Sequence, residues 1–374
     1  MRDLRDRFRD FNSGRANFYL VAVITCILAG AMLKITASVF LPFIIAVLLA
    51  LVIHPLTKIS RKFRFPRMIP ILLAVIIIIA GLFSIGVVLF SSGRALLSLF
   101  PKYEDRLNTI YSGAARLFDL PYDEHLTFIQ NLWSQLGIRS RISYMTFSFS
   151  NYFIIFLKDA VMVVLFLVFL LFEAAFFKDK IKAAFMGKSA SQIEKIGTAV
   201  MQQISRYLSI KFIISLVTGI VVTIGLRFIG LEFSVLWGVI QFILNFIPSL
   251  GSIAVGFAAS IFALIQFWPE PAPVVAVVAV MLGANIIIGN ILEPKIMGDN
   301  LGISPIVVLL SLMLWGFIWG FAGMVLAVPM MVIIKIICEN FPVLEPISII
   351  LGSRKAALAK KTELEEESAN QETE

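Results

Sequence analysis

The chain has 374 residues, of which 59% are apolar and 15% charged, and its formal net charge is +8. Mean hydropathy is +0.93. An ordinary soluble domain is about half apolar and about one quarter charged, so this composition excludes a soluble enzyme and a disordered chain.

Several apolar runs reach the ~20 residues that cross a bilayer as a helix. The predicted fold is an all-α polytopic membrane protein. Basic residues collect in cytoplasmic loops of such proteins, so the charge calls for no nucleic-acid partner. Cys26 and Cys338 lie in or beside apolar runs and imply no disulfide framework.

Residues 1–17 carry Met1, Leu4, Phe8 and Phe11 at helical spacing among arginines and aspartates. They read as an amphipathic cytoplasmic segment lying on the membrane, with no cleavable signal peptide. Residues 18–90 hold three spans. Phe18–Leu33 and Ile35–Ile53 form a pair turning at Lys34, with Pro42 kinking the second. A basic stretch from Lys58 to Arg67 precedes the third span, Met68–Phe90.

In residues 91–150 the texture changes to mixed charge. Tyr103, Leu107, Ile110, Tyr111, Ala114, Leu117 and Phe118 mark one amphipathic helix. Leu126, Ile129, Leu132, Trp133 and Leu136 mark another. Together they predict a small extracytoplasmic helical domain.

Residues 151–177 form a fourth span carrying Lys158 and Asp159, which read as interfacial or subunit contacts. Glu173 is expected to pair with nearby lysines or reach the interface. Residues 178–211 are a cytoplasmic amphipathic helix, with a capping-box pattern at Ser191–Glu194 and an apolar stripe through Ile193, Ile196, Val200, Ile204 and Leu208. A fifth span, Phe212–Ile229, follows. With an inside N-terminus the inside segments hold 23 Lys and Arg and the outside segments 8. That bias predicts cytoplasmic N- and C-termini. Residues 341–374 form a cytoplasmic tail whose acidic end is disordered.

Residues 212–340 show an internal symmetry. An apolar stretch after Gly230 is broken at Pro248-Ser249-Leu250-Gly251. A second, after Gly302, is broken at Gly320-Phe321-Ala322-Gly323. Gly230 to Gly251 and Gly302 to Gly323 are both 21 residues. This predicts a transport unit of two broken or re-entrant helical hairpins in an inverted repeat, a transporter device, and about eight membrane segments in all. Pro248, Ser249, Gly251, Gly320 and Gly323 are the expected tips.

Polar groups in apolar runs are costly and mark candidate sites. Asn285, Asn290 and Glu293 lie on one such segment, Gln241 and Asn245 on the arm leading to Pro248. Amides donate and accept, which suits a small polar solute or a monovalent cation. These five residues are the candidate substrate-binding set, with Asn245 and Asn290 expected to line one cavity. Arg227 and Glu232 bracket Gly230 as a candidate ion pair. Ser252, Gly256 and Ser260 make a smooth face for close helix contact.

Catalytic chemistry is not expected. Gly187-Lys188-Ser189 has Lys182, not glycine, five positions before Gly187, so there is no Walker A. His54 and His125 are the only histidines and form no zinc or serine-hydrolase pattern. No cofactor or metal is expected.

Several stretches resemble the autoinducer-2 exporter family, also described as PerM-like permeases. They are Leu236-Trp237-Gly238, Asn245-Phe246-Ile247-Pro248-Ser249-Leu250-Gly251, Gly289-Asn290-Ile291-Leu292-Glu293-Pro294-Lys295-Ile296-Met297-Gly298 and Gly302-Ile303-Ser304-Pro305. Gly316, Gly320, Gly323-Met324 and Ala327-Val328-Pro329 follow. Leu41-Pro42-Phe43 and His54-Pro55-Leu56 fit near the start, with His54 where the family often has an acidic residue. The resemblance covers roughly residues 18–340. It implies an inner-membrane transport protein of bacteria and a homo-oligomer, in particular a pentamer. Members are linked to export of a small furanone signal, others to sodium or lithium exchange for protons. A sodium/proton antiporter with Glu293 as the exchanging carboxylate, or a non-transporting membrane scaffold docking through 91–150, are the alternatives.

Overall fold

A computed structural model describes residues 13–62, 68–118, 139–173, 176, 180, 183, 188–248, 250–297, 303–340 and 344–353. The predicted tip Ser249, Gly302 at the start of the second broken stretch, the segment 1–12, the stretch 126–136 and the acidic tail lie outside these residues. Among the described residues the chain is helical, apart from turns and one isolated bridge between Ile303 and Gly352.

Among the described residues six helical stretches are long and apolar enough to cross a membrane: Leu72–Leu96, Asn151–Glu173, Met201–Ile229, Leu250–Phe267, Pro271–Ile296 and Pro305–Glu339, the last kinked at Gly320. A seventh span arises if Leu20–Ile35 and Ala37–Ile53 count as one. These two belong to α1 (Ser13–Ile35) and α2 (Ala37–Lys62), which meet at Thr36 with a bend of 92°. At that angle they do not both run along the membrane normal.

The third helix, α3 (Met68–Phe118), runs 51 residues without a break. The first half of region 91–150 is thus a helical extension of a span. Residues 139–150 likewise open α4 (Arg139–Glu173). The amphipathic stretch before the fifth span is continuous with that span in α5 (Lys188–Ile229). Helix α5 begins three residues ahead of Ser191, so the capping-box pattern at Ser191–Glu194 falls inside the helix and not at its start.

Three apolar clusters hold the helices together. Ala46, Ile53, Ala74, Val75, Val163, Leu167 and Leu171 join α2, α3 and α4. Leu48, Leu51, Ile204, Tyr207 and Leu208 join α2 to the first half of α5. Here Pro55 leaves the Leu51 carbonyl without its helical N–H donor. Ser205 Oγ donates to that carbonyl at 2.6 Å instead, so the helix defect becomes an interhelical bond.

The two broken stretches are helical hairpins. The first consists of α6 (Ser234–Leu244) and α7 (Leu250–Phe267) around Asn245–Pro248. The 11 residues of α6 reach roughly 17 Å, short of the ~30 Å hydrocarbon core. The second lies within α10 (Pro305–Asn340), where Gly320 has φ 62° and ψ −140°, a backbone open essentially to glycine. Ser311 Oγ donates to the Ala327 carbonyl at 2.9 Å. Sixteen residues of straight helix would place them about 24 Å apart, so the chain folds back on itself.

Both tips close in the same way. A Cβ at Gly251 would lie 1.8 Å from the Leu244 carbonyl oxygen, and one at Gly323 would lie 1.9 Å from that of Trp315. Between the hairpins runs α8 (Pro271–Ala284), followed by a π-helical stretch (Asn285–Leu292) and the short α9 (Glu293–Met297). Val255, Ala259 and Ala263 of α7 pack on Val277, Met281 and Ala284 of α8, together with Val222 and Leu226 of α5. A Cβ at Gly256 would meet Met281 Cβ at 3.6 Å, an ordinary contact, so this packing does not depend on the glycine. The last helix, α11 (Glu345–Leu351), clips onto the start of α10 through Ser304 N–H to the Leu351 carbonyl, 3.0 Å.

Candidate functional site

The break of the first hairpin gathers polar side chains out of reach of water. Asn245 ends α6, and Pro248 prevents the helix from continuing regularly. Asn245 Nδ2 donates to Ser215 Oγ on α5 at 3.0 Å, and Ser252 Oγ on α7 donates to Asn245 Oδ1 at 3.1 Å. Gln241 Nε2 donates to Ser252 Oγ at 2.9 Å. All four are buried, from 0% exposure at Ser215 to 9% at Ser252. Gln241 Oε1 is buried without a hydrogen-bond partner, as is Trp237 Nε1 one turn earlier on α6. An unmatched buried acceptor is costly, and a polar ligand or a water would relieve it.

One turn before Ser215 on α5 lies Lys211, whose side chain is 4% exposed. Its ammonium pairs with Glu293 Oε1 at 2.5 Å. The serine–amide network and the ion pair therefore share one stripe of α5: Lys211, Ser215 and Thr218, all buried. Thr218 turns its hydroxyl back to the Ile214 carbonyl.

Of the five candidate binding residues, the packing joins Gln241 with Asn245 directly. Glu293 comes near through α5. Asn285 is half-buried and Asn290 exposed, and among the described residues no hydrogen bond ties either to the network. The expected convergence of Asn245 and Asn290 is therefore not what the packing brings together. Asn290 sits on an exposed side of the π-helical stretch Asn285–Leu292, whereas Asn245 is buried at the hairpin break. The tips Pro248 and Gly251 border the network. Gly320 and Gly323 form the separate tip of α10, where Trp319 Nε1 donates to the Leu33 carbonyl at the end of α1, 3.0 Å.

The remaining expectations divide. Glu173 pairs with Lys180. Lys158 and Asp159 are exposed on α4, 3.5 Å apart. Glu232 does not pair with Arg227. Its partners are Lys102 Nζ at 2.6 Å and the hydroxyl of Tyr103, both on α3. Ser252, expected as part of a smooth face, is instead the hub of the polar network, while Ser260 bonds its own Gly256 carbonyl. Burial disfavours ionisation of Glu232, yet the bonds from Lys102 and Tyr103 and the charges of Lys102 and Arg106 hold its carboxyl below the usual range. Burial, with the bond to Glu232, pushes the Tyr103 phenol up.

Sequence reasoning missed Lys211 and Ser215. The signal was present: Lys211, Ser215 and Thr218 recur at four and three residues at the mouth of an apolar run. Among the described residues no group of three or more His, Cys, Asp or Glu could hold a metal ion.

Apolar spans, two helical hairpins and a buried polar network at a hairpin break characterise a polytopic all-α membrane protein. Residues 19–342 match the AI-2E family transporter, and the chain belongs to that family. A Haemophilus influenzae protein that carries a transport-protein name is 30% identical over 89% of this chain and 94% of its own length. The AI-2 transport protein TqsA of Escherichia coli K12 is 38% identical over 42% of this chain and 46% of its own. A sodium-lithium/proton antiporter of Halobacillus andaensis is 27% identical over 55% of this chain and 56% of its own. With the last two, the match spans about half of each relative.

Proposed function

We propose that the chain is a secondary transporter, not an enzyme, that exports a small polar solute such as a furanone signal across the bacterial inner membrane. The observation that carries this reading is the buried hydroxyl–amide network of Ser215, Asn245, Ser252 and Gln241 at the hairpin break, which ends in the unmatched Gln241 Oε1. Such a network reads hydroxyl and carbonyl groups by donating and accepting. Backbone broken inside a membrane protein is tolerated where protein buries it or a water-filled cavity meets it, and a transport site does both in turn. The name of TqsA supports the solute reading, and it ties the function to quorum sensing. Asn285 and Asn290 belong to the proposed site in a state where the two hairpins stand differently. We place both termini in the cytoplasm and take the working unit to be a homo-oligomer, a pentamer by family resemblance.

The Lys211–Glu293 pair favours a second reading, sodium or lithium exchange for protons, which needs a carboxylate that trades one cation for another. The name of the Halobacillus relative supports it. Purified protein in liposomes separates the two. Under the first reading a furanone or another hydroxylated solute leaves preloaded vesicles without ATP. Sodium-dependent proton flux with no solute flux would replace it with the second.

A further inference from the structure

Asn285–Leu292 is where, among the described residues, the backbone leaves the α register for the wider π register. Its closing bond runs from Glu293 N–H to the Ile288 carbonyl, five residues back. The sequence supplies a cause. Pro294 has no N–H, and in an α-helix its ring would press on the carbonyl of Asn290, four residues earlier. Widening the turn that carries this carbonyl relieves the clash. Such π segments are rare and occur disproportionately at functional sites.

The consequence concerns facing. A π turn takes one more residue than an α turn, and each residue accounts for about 100° of rotation. Glu293 follows directly on the π stretch, so it is turned by about that angle from where an unbroken α8 would carry it. In its observed place it meets Lys211 at 2.5 Å. Lys211 itself is buried on α5, a helix that packs against both α2 and α6.

We propose that the π register is the device that sets Glu293 on Lys211, and that Pro294 is the positioning residue that maintains it. Return of the stretch to the α register withdraws Glu293 and leaves Lys211 uncompensated, with no movement of α5. A segment with two discrete arrangements is the kind of element a switch requires. This goes beyond the transport reading and holds for any solute.

The test uses the full-length chain in lipid nanodiscs and dicyclohexylcarbodiimide, an apolar reagent that captures protonated carboxyl groups. Labelling of the Glu293 peptide is read by mass spectrometry. Held against the Lys211 ammonium, the carboxylate is shielded from the reagent and labels poorly. Withdrawn from the lysine, it stands open to the reagent and labels. Lys211→Met, the control for a lost pair, should raise labelling about tenfold, the order that loss of a charge-assisted hydrogen bond to the carboxylate implies. Pro294→Ala should approach that control. Deletion of Ile287, an exposed residue of the π stretch, in the Pro294→Ala background removes the extra residue and should return labelling to the wild-type level. A simple packing defect at Pro294 would not be rescued in this way. Pro294→Ser restores the same N–H should the alanine variant not fold. Wild-type labelling in a folded Pro294 variant overturns the proposal, and so does a deletion that leaves the raised labelling unchanged.

Discussion

At the scale of single residues, Ser252 is the hub of the network, since its hydroxyl accepts from Gln241 and donates to Asn245. Ser252→Ala leaves an amide nitrogen and an amide oxygen unpaired in a buried place. The expected cost is about 1–3 kcal/mol, seen as a lower melting temperature of the detergent-solubilised protein. An unchanged melting temperature would mean that water already satisfies these groups. Glu232 offers a test by pH. Its carboxyl is held below the usual range in the folded chain, so the bonds to Lys102 and Tyr103 contribute above the ordinary carboxylate range. They are lost as pH falls through the lowered value. Hydrogen exchange around residues 230–233 should stay slow near neutral pH and quicken only under clearly acid conditions. In Glu232→Gln, which has no carboxylate to titrate, that acid transition should be absent.

At the scale of elements, each hairpin tip rests a glycine on the carbonyl of the preceding arm. Gly251→Val or Gly323→Val forces that contact apart. Both variants should insert into the membrane normally and lose transport, and wild-type flux in both would remove the functional role of the tips. These hairpins were legible in the sequence because punctuation carried the information: Pro248 with Gly251, and Gly320 with Gly323, at equal spacings. The register of Asn285–Leu292 was not legible, because hydrophobic periodicity does not distinguish an α turn from a single wider one. Asn290 and Glu293 were therefore read on one face. Lys211 was read as part of a cytoplasmic helix for a related reason. Charge counting assigns a lysine beside an apolar run to the loop, and only the packing of Glu293 against α5 reveals it as buried. The Glu232 clasp joins residues 129 and 130 positions apart in the chain, and no local pattern announces such a pair.

At the scale of the whole molecule, the lysine and arginine bias predicts α3's extension outside and the start of α5 in the cytoplasm. A cysteine at Ser112 should react with an impermeant thiol reagent added to intact cells, and one at Ser191 should not. Labelling at Ser191 alone would invert the molecule. On the proposed function, the polar network at the first hairpin break holds solute during ATP-independent transport. Asn245→Leu tests it most directly, because Asn245 ties α5, α6 and α7 together at that break. In proteoliposomes carrying a furanone or a related hydroxylated solute, the wild-type protein should release the solute along its gradient. The Asn245→Leu protein, folded and assembled as the wild type, should not. Equal release by the two proteins would contradict the account.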